Sequence, residues 1–294
     1  MKIAVTGGFG FIGHHLVNRL LKDKHTITIL SYARSDISRF TGDVSIARGS
    51  LENFDSLVSA FTGQQIVFHL VGIIAETKSQ TFEGTVVKGT ENVVKAAKKA
   101  GVRKIIYLSA MGTSAQAEAR YHQSKYKAEQ AVITSGIQYT IFRPSLVYGQ
   151  GDGFVSLLTK MMRFSPFVPV IGNGRYKMQP VYIDDLTGVM SHSLTKSETE
   201  NEIIEIGGPE KLEYLQILYI LKSVLQKKRM NIFLPVAVMR VIAGLMEKVI
   251  KPAPLTTDQI IMMEAGNTGS NEKLKRIFNI EPVPFEEGLR KYMR

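Results

Sequence analysis

The sequence predicts an α/β protein: a doubly wound parallel sheet with a smaller, mostly helical C-terminal lobe. Three observations carry that expectation. Short apolar runs alternate with helical stretches over the first two-thirds of the chain, and strands separated by helices pair in parallel with both faces covered. A glycine-rich turn stands between the first apolar run and the first helical stretch, where such folds place one. From about residue 210 the pattern is mainly helical. With 294 residues, 44% of them hydrophobic and 21% charged, the chain is too apolar to be disordered and large enough for two unequal parts. The expected division is 1–150, with 178–206 returning to it, and 151–294.

The elements follow from local pattern. Residues 3–5, 27–30, 66–70 and 105–108 are apolar runs of three to five residues that read as strands. Between them, residues 12–21, Phe54–Phe61 and residues 85–100 carry helical spacing. The last of these ends at Gly101, a good C-terminal stop. Beyond residue 150 the rhythm loosens into glycine and proline clusters, and residues 180–183 and 203–206 read as later strands. Asp184 and Asp185 read as helix caps. Residues 212–225, 237–249, Thr257–Ala265 and Phe285–Tyr292 complete the helical set.

Composition narrows the function classes. There is no cysteine, so disulfides, thiolate metal sites and a cysteine nucleophile are excluded. None of the six histidines stands at metal-ligand spacing from a carboxylate, so no metal site is expected. The net charge of +11 points to an anionic partner. Zinc-finger spacing and aromatic-rich basic strands are both missing, so that partner is not expected to be nucleic acid. Strand pattern begins at residue 2, which leaves no room for a secretory leader and predicts a cytoplasmic chain. The longest nearly apolar run, residues 232–246, contains Pro235 and Arg240 and is shorter than the roughly 20 residues a spanning helix needs.

The glycine turn carries the first chemistry. Gly7, Gly8, Gly10 and Gly13 satisfy both G-x-G-x-x-G and G-x-x-G-x-x-G. The early glycines allow a tight turn and close approach to a pyrophosphate; the last lets helix and strand pack closely. The turn therefore predicts a bound dinucleotide. Its identity depends on the end of the second strand, where a carboxylate would take the ribose hydroxyls of NAD. Here Ser31 stands in that place and Arg34 follows. NADP(H) is therefore the expected cofactor, with NAD(H) as the alternative.

Tyr121 and Lys125 stand at i, i+4, on one face of a helix. A phenol titrates near 10, and a neighbouring ammonium lowers it toward a useful acid/base range. The same lysine would hold the nicotinamide ribose.

Residues 7–13, Tyr121 with Lys125, residues 143–149 (RPSLVYG) and residues 179–185 (QPVYIDD) resemble the short-chain dehydrogenase/reductase superfamily, extended type. Residues 69–74 (HLVGII), 108–112 (LSAMG), 124–129 (SKYKAE) and 142–152 (FRPSLVYGQGD) are similar to its atypical branch, that of the nucleotide-binding accessory subunit of respiratory complex I. The resemblance runs to about residue 210. It implies a Rossmann fold in which Gly7, Gly10 and Gly13, followed by Phe11 and Ile12, cradle the pyrophosphate. Ser31 and Arg34 would face the 2′-phosphate, Ser50 and Leu51 the adenine side, and Val71 and Gly72 would pass the cofactor. Lys125 would hold the ribose, Pro144 would border the nicotinamide and Tyr121 would be the acid/base. Ser109 ends the fourth strand candidate, but Met111 occupies the position where catalytic members carry Ser or Thr.

Two functions remain open. One is hydride transfer to or from an alcohol or carbonyl, in an oxidoreductase or an epimerase/dehydratase. The other is a non-catalytic NAD(P)H-binding accessory, chaperone or sensor linked to complex I or quinone metabolism. The ligand expected is a small molecule, with a hydrophobic or quinone-like one among the candidates. Oligomeric state is left open by the sequence. Residues 222–251 hold seven basic residues and one acidic, Glu247. The apolar run within them either closes the lobe's own core or lies peripherally on an anionic membrane.

Overall fold

The structure, a computed structural model, describes residues 1–32, 36–250 and 253–293. β1 (Lys2–Thr6), α1 (Phe11–Lys22), β2 (Thr26–Ser31), β3 (Val44–Arg48), α2 (Phe54–Phe61) and β4 (Ile66–His69) form the first half of a doubly wound sheet. A π-helical stretch (Phe82–Lys88) runs directly into α3 (Gly89–Lys99), and β5 (Lys104–Leu108), α4 (Arg120–Ile133) and β6 (Gln138–Pro144) follow. After these come β7 (Val147–Tyr148), α5 (Phe154–Phe164), β8 (Phe167–Ile171), β9 (Lys177–Met178), β10 (Val181–Tyr182), α6 (Ile183–His192) and β11 (Glu202–Ile206). The chain closes with β12 (Leu212–Glu213), α7 (Tyr214–Val224), β13 (Met230–Leu234), α8 (Val236–Val249), α9 (Thr257–Ala265), α10 (Glu272–Phe278) and α11 (Phe285–Tyr292).

The main sheet has the order β11-β6-β5-β4-β1-β2-β3, and all its pairings are parallel. The strand order reverses between β1 and β4, the place where such sheets bind ligands. β4 and β5 are buried at every residue, which is why they read as unbroken apolar runs rather than alternating ones. One face is covered by Leu16, Val17 and Leu20 of α1 with Leu186, Val189 and Met190 of α6. The other is covered by Leu57 and Phe61 of α2, Val93 and Ala97 of α3 and Ala128 and Val132 of α4. A third cluster joins Tyr148, Leu158, Ile217, Leu221, Phe285 and Leu289.

Several elements differ from their sequence pattern. The helix expected over 85–100 begins earlier, as the π-helical stretch, and becomes α-helical at Gly89. Thr81 caps that stretch by accepting from the Gly84 amide. Residues 212–213 pair with β9 before α7 begins, and Ile183 opens α6 rather than ending a strand. Asp184 and Asp185 lie in the first turn of α6, whose N-cap is Tyr182, and Asp185 accepts from the Val283 amide. β3, β6, β8, β13, α5 and α10 are additional elements. The core-closing reading of residues 232–246 fails: of all α8, only Ala243 is fully buried. No helix of the described residues is long and apolar enough to cross a membrane.

Candidate functional site

The glycine turn joins β1 to α1 at the sheet's switch point. Gly7 takes φ +78°, a backbone conformation natural to glycine, against the backbone of Leu70 and Val71. A Cβ on Gly13 would stand 2.1 Å from the Gly7 carbonyl oxygen, so only glycine lets α1 start this close. Gly10 is the N-cap of α1, and the His14 amide donates to its carbonyl. The amides of the helix's first turn, at Phe11, Ile12 and Gly13, have no intrahelical acceptor and suit a phosphate. The turn thus fits a dinucleotide pyrophosphate.

On the adenine side, Ser31 ends β2 and its carbonyl accepts from the Gly49 amide at 3.1 Å, which brings Ser50 and Leu51 beside it. Arg34 lies outside the described residues. A second arginine is placed here: Arg39 donates from Nη1 to the Phe9 carbonyl at 3.3 Å. With Phe9, His14 and Asp36 it lines an open hollow of about 600 Å³. The sequence held a signal for it, a second basic residue eight positions beyond β2, but its approach to the glycine turn depends on the path of the connecting loop.

Lys125 is 3% exposed. Its Nζ donates to the Leu108 carbonyl at 2.8 Å and lies 4.9 Å from the Tyr107 ring centroid. It also stands where a Cβ on Gly72 would reach, 3.0 Å away. Burial lowers its pKa to about 8, against the opposing pull of Glu129. Glu129, fully buried, is held by a two-pronged contact with Arg143 of β6, Nε to Oε1 at 2.8 Å. That fork ties α4 to the sheet.

Beneath Lys125 lies His69, stacked on Tyr107 with centroids 5.5 Å apart. Thr90 donates its hydroxyl to the Val86 carbonyl at 2.6 Å. His69 Nε2–H is therefore assigned as donor to Thr90, and Nδ1 as acceptor from Thr6. Burial, with the Lys125 charge behind it, pushes its pKa down to about 3. His69 is a neutral structural residue.

Tyr121 is partly buried, with its ring against Phe82 at 6.0 Å and His122 at 5.3 Å. The expected lowering of its phenol is not found: burial pushes it up to about 12. The ammonium of Lys125 is engaged at Leu108 instead. α4 has no side-chain cap of its own at Ala119. Asp258, at the start of α9, supplies one, accepting from the Arg120 amide at 2.6 Å and the Tyr121 amide at 3.0 Å. The sequence carried no sign of this contact, which spans 137 residues.

Ser109 is buried, with Oγ 3.4 Å from the Thr113 hydroxyl. Met111 is 2% exposed, and its amide donates to the Pro144 carbonyl. A Cβ on Gly269 would meet the Met111 thioether at 2.8–2.9 Å, so the segment around 267–271 passes directly over it. Ser145 donates to the Asn267 carbonyl, Gly269 to the Gln179 side chain and Ser270 to Glu205, which pins this segment across the ends of β6 and β11. Among the described residues no cluster of three His, Asp or Glu could hold a metal.

A parallel sheet in this order, a glycine turn at its switch point and a lysine beside the opposite strand ends define a dinucleotide-binding Rossmann protein. A family model described as NAD(P)H-binding matches residues 7–163, and the chain belongs to that family. The 40 kDa subunit of mitochondrial NADH-ubiquinone oxidoreductase from Neurospora crassa is 25% identical over 263 residues, 87% of this chain and 68% of that protein. Ceramide reductase of Caulobacter vibrioides is 28% identical over 185 residues, 62% of this chain and 57% of that protein. The fold matches UDP-glucose 4-epimerase of Thermotoga maritima with a TM-score of 0.76 at 22% identity, over 99% of this chain and 96% of that one.

Proposed function

We propose that this protein is an NADP(H)-dependent oxidoreductase that reduces a carbonyl compound, with Tyr121 as proton donor and Lys125 holding the nicotinamide ribose. The observation that carries this is the Lys125 ammonium, held at the Leu108 carbonyl and beside Gly72, one helical turn from Tyr121. When bound, the nicotinamide supplies the hydride. A phenol raised to about 12 stays protonated across the physiological range and suits donation to a developing alkoxide. Solvent reprotonates it. The preference for NADP(H) over NAD(H) rests on Ser31 in place of an acid and on Arg39 beside the turn. Ser50, Leu51, Val71 and Pro144 would contact the cofactor, and Ser109, beside Thr113, is the hydroxyl at the end of β5. An apolar carbonyl substrate, a quinone among the candidates, suits Phe82, Ile250 and Ala253. These three line the apolar part of a cavity of about 170 Å³ whose wall also carries Glu76, Arg120, Glu247 and Asp258.

Tyr121→Phe tests the reading. It should leave NADPH affinity within about two-fold, a difference of roughly 0.4 kcal/mol, while abolishing NADPH oxidation by a carbonyl panel. Undiminished turnover in that variant removes Tyr121 from the chemistry.

Met111 favours a second reading, an NAD(P)H-binding accessory or sensor protein without turnover. The residue that would activate the carbonyl is a buried thioether under a pinned segment. NADPH binding by the parent with no oxidation across alcohol and carbonyl panels selects this reading.

A further inference from the structure

We propose that the face built by α8, β13, β8 and the end of α5 docks on an anionic lipid bilayer. α8 is amphipathic in the unexpected sense: Ala243 faces the protein, while Val238, Val241, Leu245 and Val249 are exposed. Their spacing of three, four and four residues places them on one helix face. Val241 is 64% and Val249 83% exposed, far beyond what a core-closing helix shows. The apolar surface continues upstream. β13 leads into α8 through Pro235, and in its parallel pairing with β8, Met230 stands opposite Phe167. Both side chains are exposed, as are Phe233 and Phe164, the latter at 82%. Contiguous exposed apolar surface of this kind marks an interaction site rather than ordinary surface scatter.

The charges around the face identify the occupant. The acids near α8 are engaged: Glu247 accepts from the Thr257 amide and hydroxyl, and Glu264, at the surface, pairs with Arg240 at 2.7 Å. Both contacts hold α8 to α9. Exposed Lys227, Lys228 and Lys248 remain, along with Lys160 and Arg163 on α5, a helix without acidic residues. Arg229 ties this group together by donating to the Met162 carbonyl. Apolar side chains ringed by uncompensated lysines match an anionic headgroup layer over an acyl boundary. A second copy of the same cationic face would repel it.

The test is flotation of the full chain with vesicles of phosphatidylcholine alone or mixed with phosphatidylglycerol. Salt is set at about 0.01 M and about 1 M, where screening lengths are ~30 Å and ~3 Å. Docking predicts binding to the mixed vesicles at low salt, little binding to neutral ones, and loss at high salt. Each basic side chain near the surface contributes about five-fold, so Lys227→Gln with Lys228→Gln should weaken partitioning about 25-fold. Val241→Asp with Leu245→Asp should abolish it. Both pairs lie at exposed positions and should keep the parent's melting profile and NADPH titration. Absence of binding to mixed vesicles at low salt overturns the proposal. So does binding that the Val241→Asp, Leu245→Asp protein retains in full. A dimer in light scattering that this variant dissolves, without vesicle binding by the parent, assigns the face to a second copy and equally overturns it.

Discussion

Lys125→Met separates what the site costs the fold from what it gives the ligand. The Lys125 ammonium is buried, and its pKa falls from 10.5 to about 8. At 1.36 kcal/mol per pH unit that corresponds to about 3 kcal/mol against the charged form in the folded chain. Below pH 8 lysine is protonated in both states and the burden is fully present. Between 8 and 10.5 the folded chain has released a proton that the unfolded chain still binds, so stability rises with pH through that window. Methionine removes the charge and nearly preserves the volume, but it leaves the Leu108 carbonyl without its donor, a loss of about 1–3 kcal/mol. The variant should therefore be as stable as the parent at pH 7, or more stable by up to about 2 kcal/mol. Its advantage should shrink as pH climbs from 8 to 10.5. NADPH affinity should fall at least about ten-fold, roughly 1.4 kcal/mol. Urea unfolding at several pH values and NADPH fluorescence titration measure both. A variant less stable than the parent at pH 7 but unchanged in NADPH affinity refutes the reasoning, because Lys125 would then be a structural residue.

Two further outcomes follow from the adenine side and from α9. Arg39→Ala should weaken NADPH about ten-fold, roughly 1.4 kcal/mol, with little effect on NADH, and Ser31→Asp should move preference toward NADH; comparative titration of the two nucleotides checks both. Asp258→Ala strips the amides of Arg120 and Tyr121 of their acceptor and should cost about 1 kcal/mol, read as a lower urea midpoint, whereas Asp258→Asn should lose less.

What the sequence made legible divides by the range of the physics involved. The glycine turn was readable because its requirement is local: a left-handed Gly7 and a Gly13 with no room for Cβ are conditions on the backbone itself. β1, β4 and β5 were readable because strands covered on both faces leave no polar alternation to confuse them. β3, a partly exposed edge strand of sequence VSIAR, carries too little apolar signal to stand out. The run from Ile232 onward misled in the opposite sense. Its hydrophobicity was plain, but whether it was spent on the protein's own core depends on which neighbours reach it, and only Ala243 finds one deep enough to be fully buried. Asp258 capping α4 lies beyond sequence reasoning for the same cause, since the partners meet only after the chain has folded.

The Tyr121–Lys125 spacing was legible, but its electrostatics were not. Sequence reasoning set the two groups side by side and inferred that the ammonium would stabilise a phenolate. The structure turns the ammonium to the Leu108 carbonyl, and desolvation then acts on each group separately. It pushes both toward their neutral forms, the phenol up to about 12 and the ammonium down to about 8. A neutral phenol can give a proton but holds it too tightly to be a ready base. Under the proposed oxidoreductase reading, the pair would therefore favour reduction of a carbonyl over oxidation of an alcohol. Met111 and the Gly269 segment above it bear on the same question from the substrate side. No hydroxyl stands at that position to polarise a carbonyl, so under the same reading the substrate would have to be reactive enough to accept hydride with Tyr121 as its principal hydrogen-bond donor. On chemical grounds an electron-poor carbonyl such as a quinone would meet that demand, and a simple unactivated ketone would not.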